Sequence, residues 1–348
     1  MNYRKLGRSD LRVSTLCLGS MTYGTQNTFA EAAEQIDYAL DHGINFIDTA
    51  EMYPVNPISP DHAGDSERAI GAWLAKSGRR EDIVIATKVS GSGTSAVAGG
   101  APPISATRVR EAAEYSLQKL GTDYIDLYQL HWPNRGSYHF RQYWSYDPTK
   151  QSRQETRDNI TDTLGELGRL VDEGKIRAIG LSNESAWGVA QFLDIAEKEN
   201  LPRVATVQNE YSLLCRIYDL DMAELSHNED VDLLSFSPLA CGLLSGKYQG
   251  NITPPDTRRC HHDNLGGRIT DRIWPAIDAY TAIADKHGLD SCQMALAWCL
   301  TRPFMGSAIF GATKMHQLKN AVAAANIELN EECMADIAKA WRDHPMPI

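Results

Sequence analysis

Apolar residues fall into two alternating patterns along the chain. Short runs rich in aliphatic residues occur at Leu16–Leu18, Asn45–Asp48, Ile83–Lys88, Tyr124–Leu130, Ile176–Leu181, Ala205–Gln208, Leu233–Phe236 and Ser307–Phe310. Between them lie longer stretches with apolar positions three or four apart: Ala30–His42, Ser66–Lys76, Thr107–Leu120, Thr161–Glu173, Trp187–Lys198, Asp219–Asn228 and Ser291–Thr301. The runs have the length and near-continuous apolar character of buried strands, and the stretches have the period of helices with one apolar stripe. Thr107 and Thr161 stand at the start of two stretches as candidate helix caps.

Eight such alternations without an internal linker predict repeated βα units closing on themselves, rather than an open doubly wound sheet followed by a second domain. The expected fold is α/β, a (β/α)₈ TIM barrel forming one domain over residues 1–348. Residues 1–15 alternate polar and apolar positions around Gly7-Arg8-Ser9-Asp10, which predicts an N-terminal β-hairpin suited to plug one barrel end. Three interruptions, Pro54–Asp65, Ser90–Ser105 and Asn134–Asp158, follow strand ends and are rich in Gly, Pro, Ser or aromatic residues. Loops after strands gather at the C-terminal face, where barrels keep their active sites.

Composition narrows the function classes. The 34 basic and 45 acidic side chains leave a net charge of −11, which disfavours nucleic acid and anionic membranes as partners. No apolar run approaches the ~20 residues of a membrane-spanning helix, and the opening Met-Asn-Tyr-Arg-Lys-Leu-Gly lacks the apolar core of a secretion signal. The seven cysteines (Cys17, Cys215, Cys241, Cys260, Cys292, Cys299, Cys333) are odd in number, scattered and without a C-x-x-C pair. Together these features point to a cytoplasmic protein with reduced thiols.

Four polar residues stand at consecutive strand ends. Asp48 closes the second run, Tyr53 follows in its loop, Lys88 closes the third, and His131 lies just past the fourth. Neighbouring parallel strands are about 4.8 Å apart, so these side chains converge on one rim. Singly, Asp48 and Lys88 read as a structural ion pair and His131 as a hydrogen-bonded core histidine. Together they form a proton-transfer device. A phenol is a reluctant acid at neutral pH; a nearby Lys88 ammonium favours the phenolate of Tyr53, Asp48 holds that ammonium, and a neutral His131 orients a carbonyl oxygen. Such a set suits a small-molecule carbonyl substrate on whose oxygen charge develops.

These residues carry a family resemblance. Ile47-Asp48-Thr49-Ala50-Glu51-Met52-Tyr53, Ala86-Thr87-Lys88 and Leu130-His131-Trp132-Pro133 resemble the aldo-keto reductase signatures, and Leu16–Gly24, Gly43-Ile44-Asn45 and Gly180-Leu181-Ser182-Asn183 extend the match in the family's order. The chain is most similar to the bacterial Tas-like branch, through Ala50-Glu51-Met52-Tyr53-Pro54. The resemblance implies an NADPH-dependent reductase of aldehydes or ketones, with Tyr53 as general acid, Lys88 and Asp48 tuning it, and His131 orienting the carbonyl. A likeness to channel β-subunits implies an alternative, a regulatory subunit that senses NADPH and turns over little.

The same resemblance places NADP(H) on the second half of the barrel. Ser182, Asn183 and Gln208 match positions that hold the nicotinamide carboxamide, and Phe236 matches the aromatic that stacks on the ring. Ser237-Pro238-Leu239-Ala240-Cys241-Gly242, with Lys247, resembles a loop over the pyrophosphate, and Arg258 matches a basic position near the cofactor. Gly311-Ala312-Thr313-Lys314 and Gln317 match the surroundings of the 2′-phosphate. Asn320 is the candidate for adenine, although the family commonly has an acidic residue and then asparagine where this chain has Asn320-Ala321.

Two other motifs are set aside. Gly91-x-Gly93-x-x-Ala96 follows a strand, but Ala98-Gly99-Gly100 and Pro102-Pro103 delay the next helix to about Thr107, so no helix N-terminus would meet a pyrophosphate there. Cys260-His261-His262-Asp263 offers ligand chemistry in adjacent positions that cannot all face one ion, and no second cluster completes a set, so no metal is expected. The aromatic residues Trp132, Tyr138, Phe140, Tyr143, Trp144 and Tyr146 are expected to wall a substrate pocket.

Overall fold

The computed structural model describes residues 1–97 and 100–348; positions 98 and 99 of the Ala98-Gly99-Gly100 segment lie outside the described residues. Its strands are β1 (Tyr3–Lys5), β2 (Arg12–Ser14), β3 (Leu16–Gly19), β4 (Phe46–Asp48), β5 (Val84–Val89), β6 (Ile125–Leu130), β7 (Ile176–Ser182), β8 (Val204–Glu210), β9 (Asp232–Phe236) and β10 (Met305–Phe310). The helices are α1 (Phe29–Asp41), α2 (Asp65–Ser77), α3 (Ala106–Leu120), α4 (Arg153–Asp172), α5 (Ala186–Lys198), α6 (Asp221–Glu229), α7 (Ile273–Lys286), α8 (Ser291–Leu300), α9 (Met315–Ala323) and α10 (Glu331–Asp343). Strands β3 to β10 close into a parallel barrel in sequence order, with β10 returning to β3. This is the expected (β/α)₈ architecture. Among the described residues, no helix is long and apolar enough to cross a membrane.

The β1–β2 hairpin pairs Tyr3 with Ser14 and Lys5 with Arg12. The hairpin sends Leu6, Leu11 and Val13 into an apolar cluster with Cys17, Phe46, Val84, Ala86, Leu127, Ala178, Leu234 and Ile309, the lower interior of the barrel. At roughly 2 kcal/mol for each fully buried aliphatic side chain, this burial holds the plug more firmly than its three ladder pairs do.

Side chains alternate along a strand, so residues two apart share a face. Phe46, Ala86 and Leu127 line the apolar lower interior. Two residues further on, the same face carries Asp48, Lys88 and Gln129, all at most 3 % exposed. The barrel thus changes from apolar at its plugged end to polar and charged at its C-terminal rim.

Two expected helix caps are corrected. Helix α3 is capped by Ser105, whose side chain accepts from the Arg108 amide, and Thr107 lies inside the helix. Helix α4 is capped by Ser152, whose side chain accepts from the Glu155 amide, so it begins eight residues before Thr161. There Thr161 Oγ1 donates to the Arg157 carbonyl at 3.0 Å, the bond of a mid-helix hydroxyl. The first two turns of α4, Arg153–Ile160, are mostly polar and show no apolar stripe to reveal them. Likewise α6 starts at Asp221, because Ile217–Asp219 forms a separate 3₁₀ turn.

Candidate active site

Strand register brings two of the four expected residues, Asp48 and Lys88, together with Gln129. Asp48 pairs with Ala86 and Lys88 with Gln129, so β4, β5 and β6 deliver Asp48, Lys88 and Gln129 to one level. Lys88 Nζ donates to Asp48 Oδ2 at 2.6 Å and to the Thr49 carbonyl at 2.7 Å. Tyr53 reaches back from the β4 loop, with Lys88 Nζ 4.9 Å from its ring centroid. His131 follows β6, its ring 5.9 Å from that of Tyr53 at a steep 76°. All four therefore meet at the rim.

Electrostatics corrects one expectation. Burial pushes the Tyr53 phenol above its ordinary value of 10, outweighing the opposing pull of the Lys88 ammonium. Burial opposes the charge on Lys88 as well, yet Asp48 and Tyr53 more than offset it and raise its pKa. His131 falls well below 6.5, first through burial and then through repulsion by Lys88, so it is neutral. The site holds a neutral phenol and a neutral imidazole beside a fixed ammonium.

Glu51 fastens this arrangement. Its amide donates to the Lys88 carbonyl at 3.2 Å, while its carboxylate accepts from the Ser90 amide and from the Arg108 guanidinium of α3. The turn bearing Tyr53 is thereby tied to both sides of the Lys88–Ser90 segment. Neither Gln129 nor the Glu51–Arg108 pair stood out in sequence. The available signal for Gln129 was a polar residue two positions after the inward-facing Leu127; Arg108 lies 57 positions from its partner and gave none.

The residues expected around a cofactor fall into two groups. The first adjoins the four. Ser182 Oγ donates to the Gln208 carbonyl at 2.8 Å, Asn183 Nδ2 donates to the His131 carbonyl at 2.9 Å, and Gln208 Nε2 donates to Asp48 Oδ1 at 2.8 Å. Among the described residues, Asn183 Oδ1 and His131 Nδ1 are buried without a hydrogen-bond partner. Phe236 ends β9, and Ser237 to Cys241, including Pro238, Leu239 and Ala240, follow it; Ser237 Oγ lies 3.8 Å from Cys241 Sγ.

A positive corner surrounds Cys241. Burial works against its thiolate, yet Arg268 and Arg258 hold the thiol below its ordinary pKa. Burial and Arg258 lower the Lys247 ammonium. The Arg258 charge also acts, weakly, to favour the Tyr53 phenolate.

The second group follows β10. Gly311 leads into Thr313, whose amide and hydroxyl both donate to Gln317 Oε1, at 3.0 and 3.2 Å, and Lys314 stands at the start of α9 without a side-chain cap. Asn320 accepts from Gln293 at 2.6 Å and donates to Asp290 at 3.0 Å, which ties it to the start of α8.

The orphaned amide oxygen of Asn183, the basic corner of Lys247, Arg258 and Arg268, and the hydroxyl and ammonium of Thr313 and Lys314 fit, in order along the rim, an amide, a pyrophosphate and a further phosphate. The expected aromatic wall is partly present. Trp132 tilts against His131 at 4.7 Å and meets Phe140 edge-on at 6.4 Å, whereas Trp144 is largely exposed and packs under Arg272.

Comparison with known proteins follows the same lines. The family model described as Aldo/keto reductase family matches residues 15–342. Protein tas of Escherichia coli (strain K12) is 43% identical over 349 residues, covering 100% of this chain and 99% of its own length. The uncharacterized oxidoreductase YrpG of Bacillus subtilis is 31% identical over 96% of this chain and 94% of its own. A probable voltage-gated potassium channel subunit beta of Arabidopsis thaliana is 30% identical over 94% of this chain and 92% of its own. With the barrel, the rim cluster and the match in agreement along nearly its full length, the chain belongs to the aldo/keto reductase family.

Proposed function

We propose that this protein reduces an aldehyde or ketone to an alcohol with NADPH, as a single-domain cytoplasmic enzyme. The observation that carries the reading is a neutral Tyr53 and a neutral His131 flanking a Lys88–Asp48 pair of 2.6 Å at the barrel rim. The nicotinamide, when bound, supplies the hydride. Ser182, Asn183 and Gln208 hold its carboxamide, Phe236 backs its ring, and the segment from Ser237 to Cys241 with Lys247 and Arg258 covers the pyrophosphate. Thr313, Lys314 and Gln317 meet the 2′-phosphate.

The carbonyl oxygen lies between Tyr53 and His131. A neutral His131 donates a hydrogen bond and polarises the carbonyl, and Tyr53 gives up its proton as charge develops on oxygen. Lys88 stabilises the phenolate left behind, and Asp48 keeps Lys88 charged and directed. Trp132 and Phe140 provide apolar surface for the rest of the substrate.

The decisive experiment follows NADPH consumption over a panel of carbonyls with the wild type and Tyr53→Phe. The variant keeps NADPH affinity and loses at least about a hundredfold in kcat, the scale of one positioned acid; unchanged turnover would overturn the assignment. The likeness to a probable channel β-subunit supports a second reading, in which cofactor occupancy rather than turnover is the output. It requires slow release of NADP⁺ and little turnover on every carbonyl.

A further inference from the structure

Inside the barrel, Asp48 is held by more than Lys88. Its Oδ1 accepts from Gln208 Nε2 at 2.8 Å and from Gln129 Nε2 at 3.3 Å. Gln208 Nε2 also donates to Gln129 Oε1 at 3.2 Å. A primary amide nitrogen carries two protons, and both protons of Gln208 are therefore engaged within the barrel. Its remaining polar atom, Oε1, is an acceptor that no side-chain or backbone donor reaches among the described residues.

The two partners of Gln208 do different work. The Asp48 carboxylate decides which end of the amide faces inward, because a carbonyl oxygen turned toward it would be repelled. One bond still lets the amide plane turn about its last side-chain torsion, a broad and soft degree of freedom. The second bond, to Gln129 Oε1, fixes that plane and so the direction of Gln208 Oε1. Gln129 is fully buried, and Gly180 on β7 makes room for it: a Cβ at that position would stand 3.0 Å from Gln129 Cγ and 2.6 Å from Thr206 Oγ1.

The geometry points to Gln129 as a positioning residue, which sets the amide plane of Gln208 so that the site presents a fixed acceptor to an N–H donor of the cofactor's carboxamide. This rests on the NADP(H) reading above. The recognised feature is a carboxamide NH₂, as opposed to the same ring bearing a group without an N–H.

The test compares binding of NADP⁺ with that of its 3-acetylpyridine analogue, which carries a methyl ketone in place of the carboxamide. Wild type, Gln129→Met, Gln208→Met and the double variant are titrated by calorimetry, with thermal melting to establish folding and Gln129→Leu as a second apolar replacement. Wild type should prefer NADP⁺ by about fivefold, the scale of one net hydrogen bond. Gln129→Met should shrink the preference to about twofold or less without weakening binding of the analogue, and the double variant should match Gln208→Met, because Gln129 acts only through Gln208. A wild-type preference retained in both apolar variants at position 129, no preference in wild type, or additive losses in the double variant would each overturn the assignment. Failure of wild type to bind either dinucleotide would instead remove the cofactor reading, a separate and visible result.

Discussion

Tyr53 and His131 flank the Lys88 ammonium, and opposing effects set the protonation of each. Lys88 stabilises a phenolate at Tyr53, but burial penalises that charge more, so the phenol stays protonated past its ordinary value of 10. At His131 burial and Lys88 act in the same direction and hold the imidazole neutral below 6.5. Hence both groups keep the form that carbonyl reduction needs across the interval between those values. The expected kcat/KM profile for reduction is flat from pH 6.5 to 10 and declines only above 10, where Tyr53 begins to lose the proton it must deliver. Steady-state rates over that range check this, and a decline centred near pH 7 would contradict the burial argument. The four rim residues were legible because unlike polar types closed successive apolar runs. The sign of the Tyr53 shift was not legible, since it depends on how fully the rim buries the phenol.

At the scale of elements, apolar period located the strands well and the helix starts less well. Buried strands announce themselves, because in a parallel barrel both faces are covered and nearly every residue is apolar. A helix that begins above the core shows no such pattern. Helix α4 runs from Arg153, yet its buried positions begin at Ile160, so the visible pattern starts late and Thr161 takes the place of the cap. The distinction is measurable. Ser152→Ala removes the acceptor for the Glu155 amide and should cost about 1 kcal/mol of stability. Thr161→Ala removes only a hydroxyl bonded back to its own helix and should stay within about 0.5 kcal/mol, since alanine is the better helix former. Urea unfolding of both variants decides it; equal costs would contradict the assignment of the cap to Ser152 rather than Thr161.

The whole molecule is joined across its rim by contacts that no local pattern reveals. Glu210 ends β8 and accepts from Arg141 of the loop after β6 at 2.6 Å and from Arg268 of the loop after β9 at 2.7 Å. One carboxylate thus ties the aromatic loop after β6 to the long segment after β9. Further links reinforce the tie: Thr270 Oγ1 donates to the Pro347 carbonyl at 2.5 Å, Tyr143 donates to the Ile348 carbonyl, and Arg272 lies 4.6 Å from the Trp144 ring centroid. The two arginines are unequal partners. Burial and its neighbour Arg268 disfavour the charge on Arg141, whereas Glu210 more than offsets the burial of Arg268 and raises its pKa. Glu210→Ala leaves two buried guanidiniums facing each other and should cost about 3 kcal/mol or more. Arg141→Met removes the less favoured charge, leaves Glu210 paired with Arg268, and should cost clearly less while freeing the loop between His131 and Ser152. Urea unfolding measures the first difference, and limited proteolysis of the folded variants measures the second. In Arg141→Met the expected result is new cleavage within residues 134–151 with a nearly unchanged unfolding midpoint. Equal destabilisation by the two substitutions would show that the three side chains form a rigid block, without the hierarchy that their opposite pKa shifts imply.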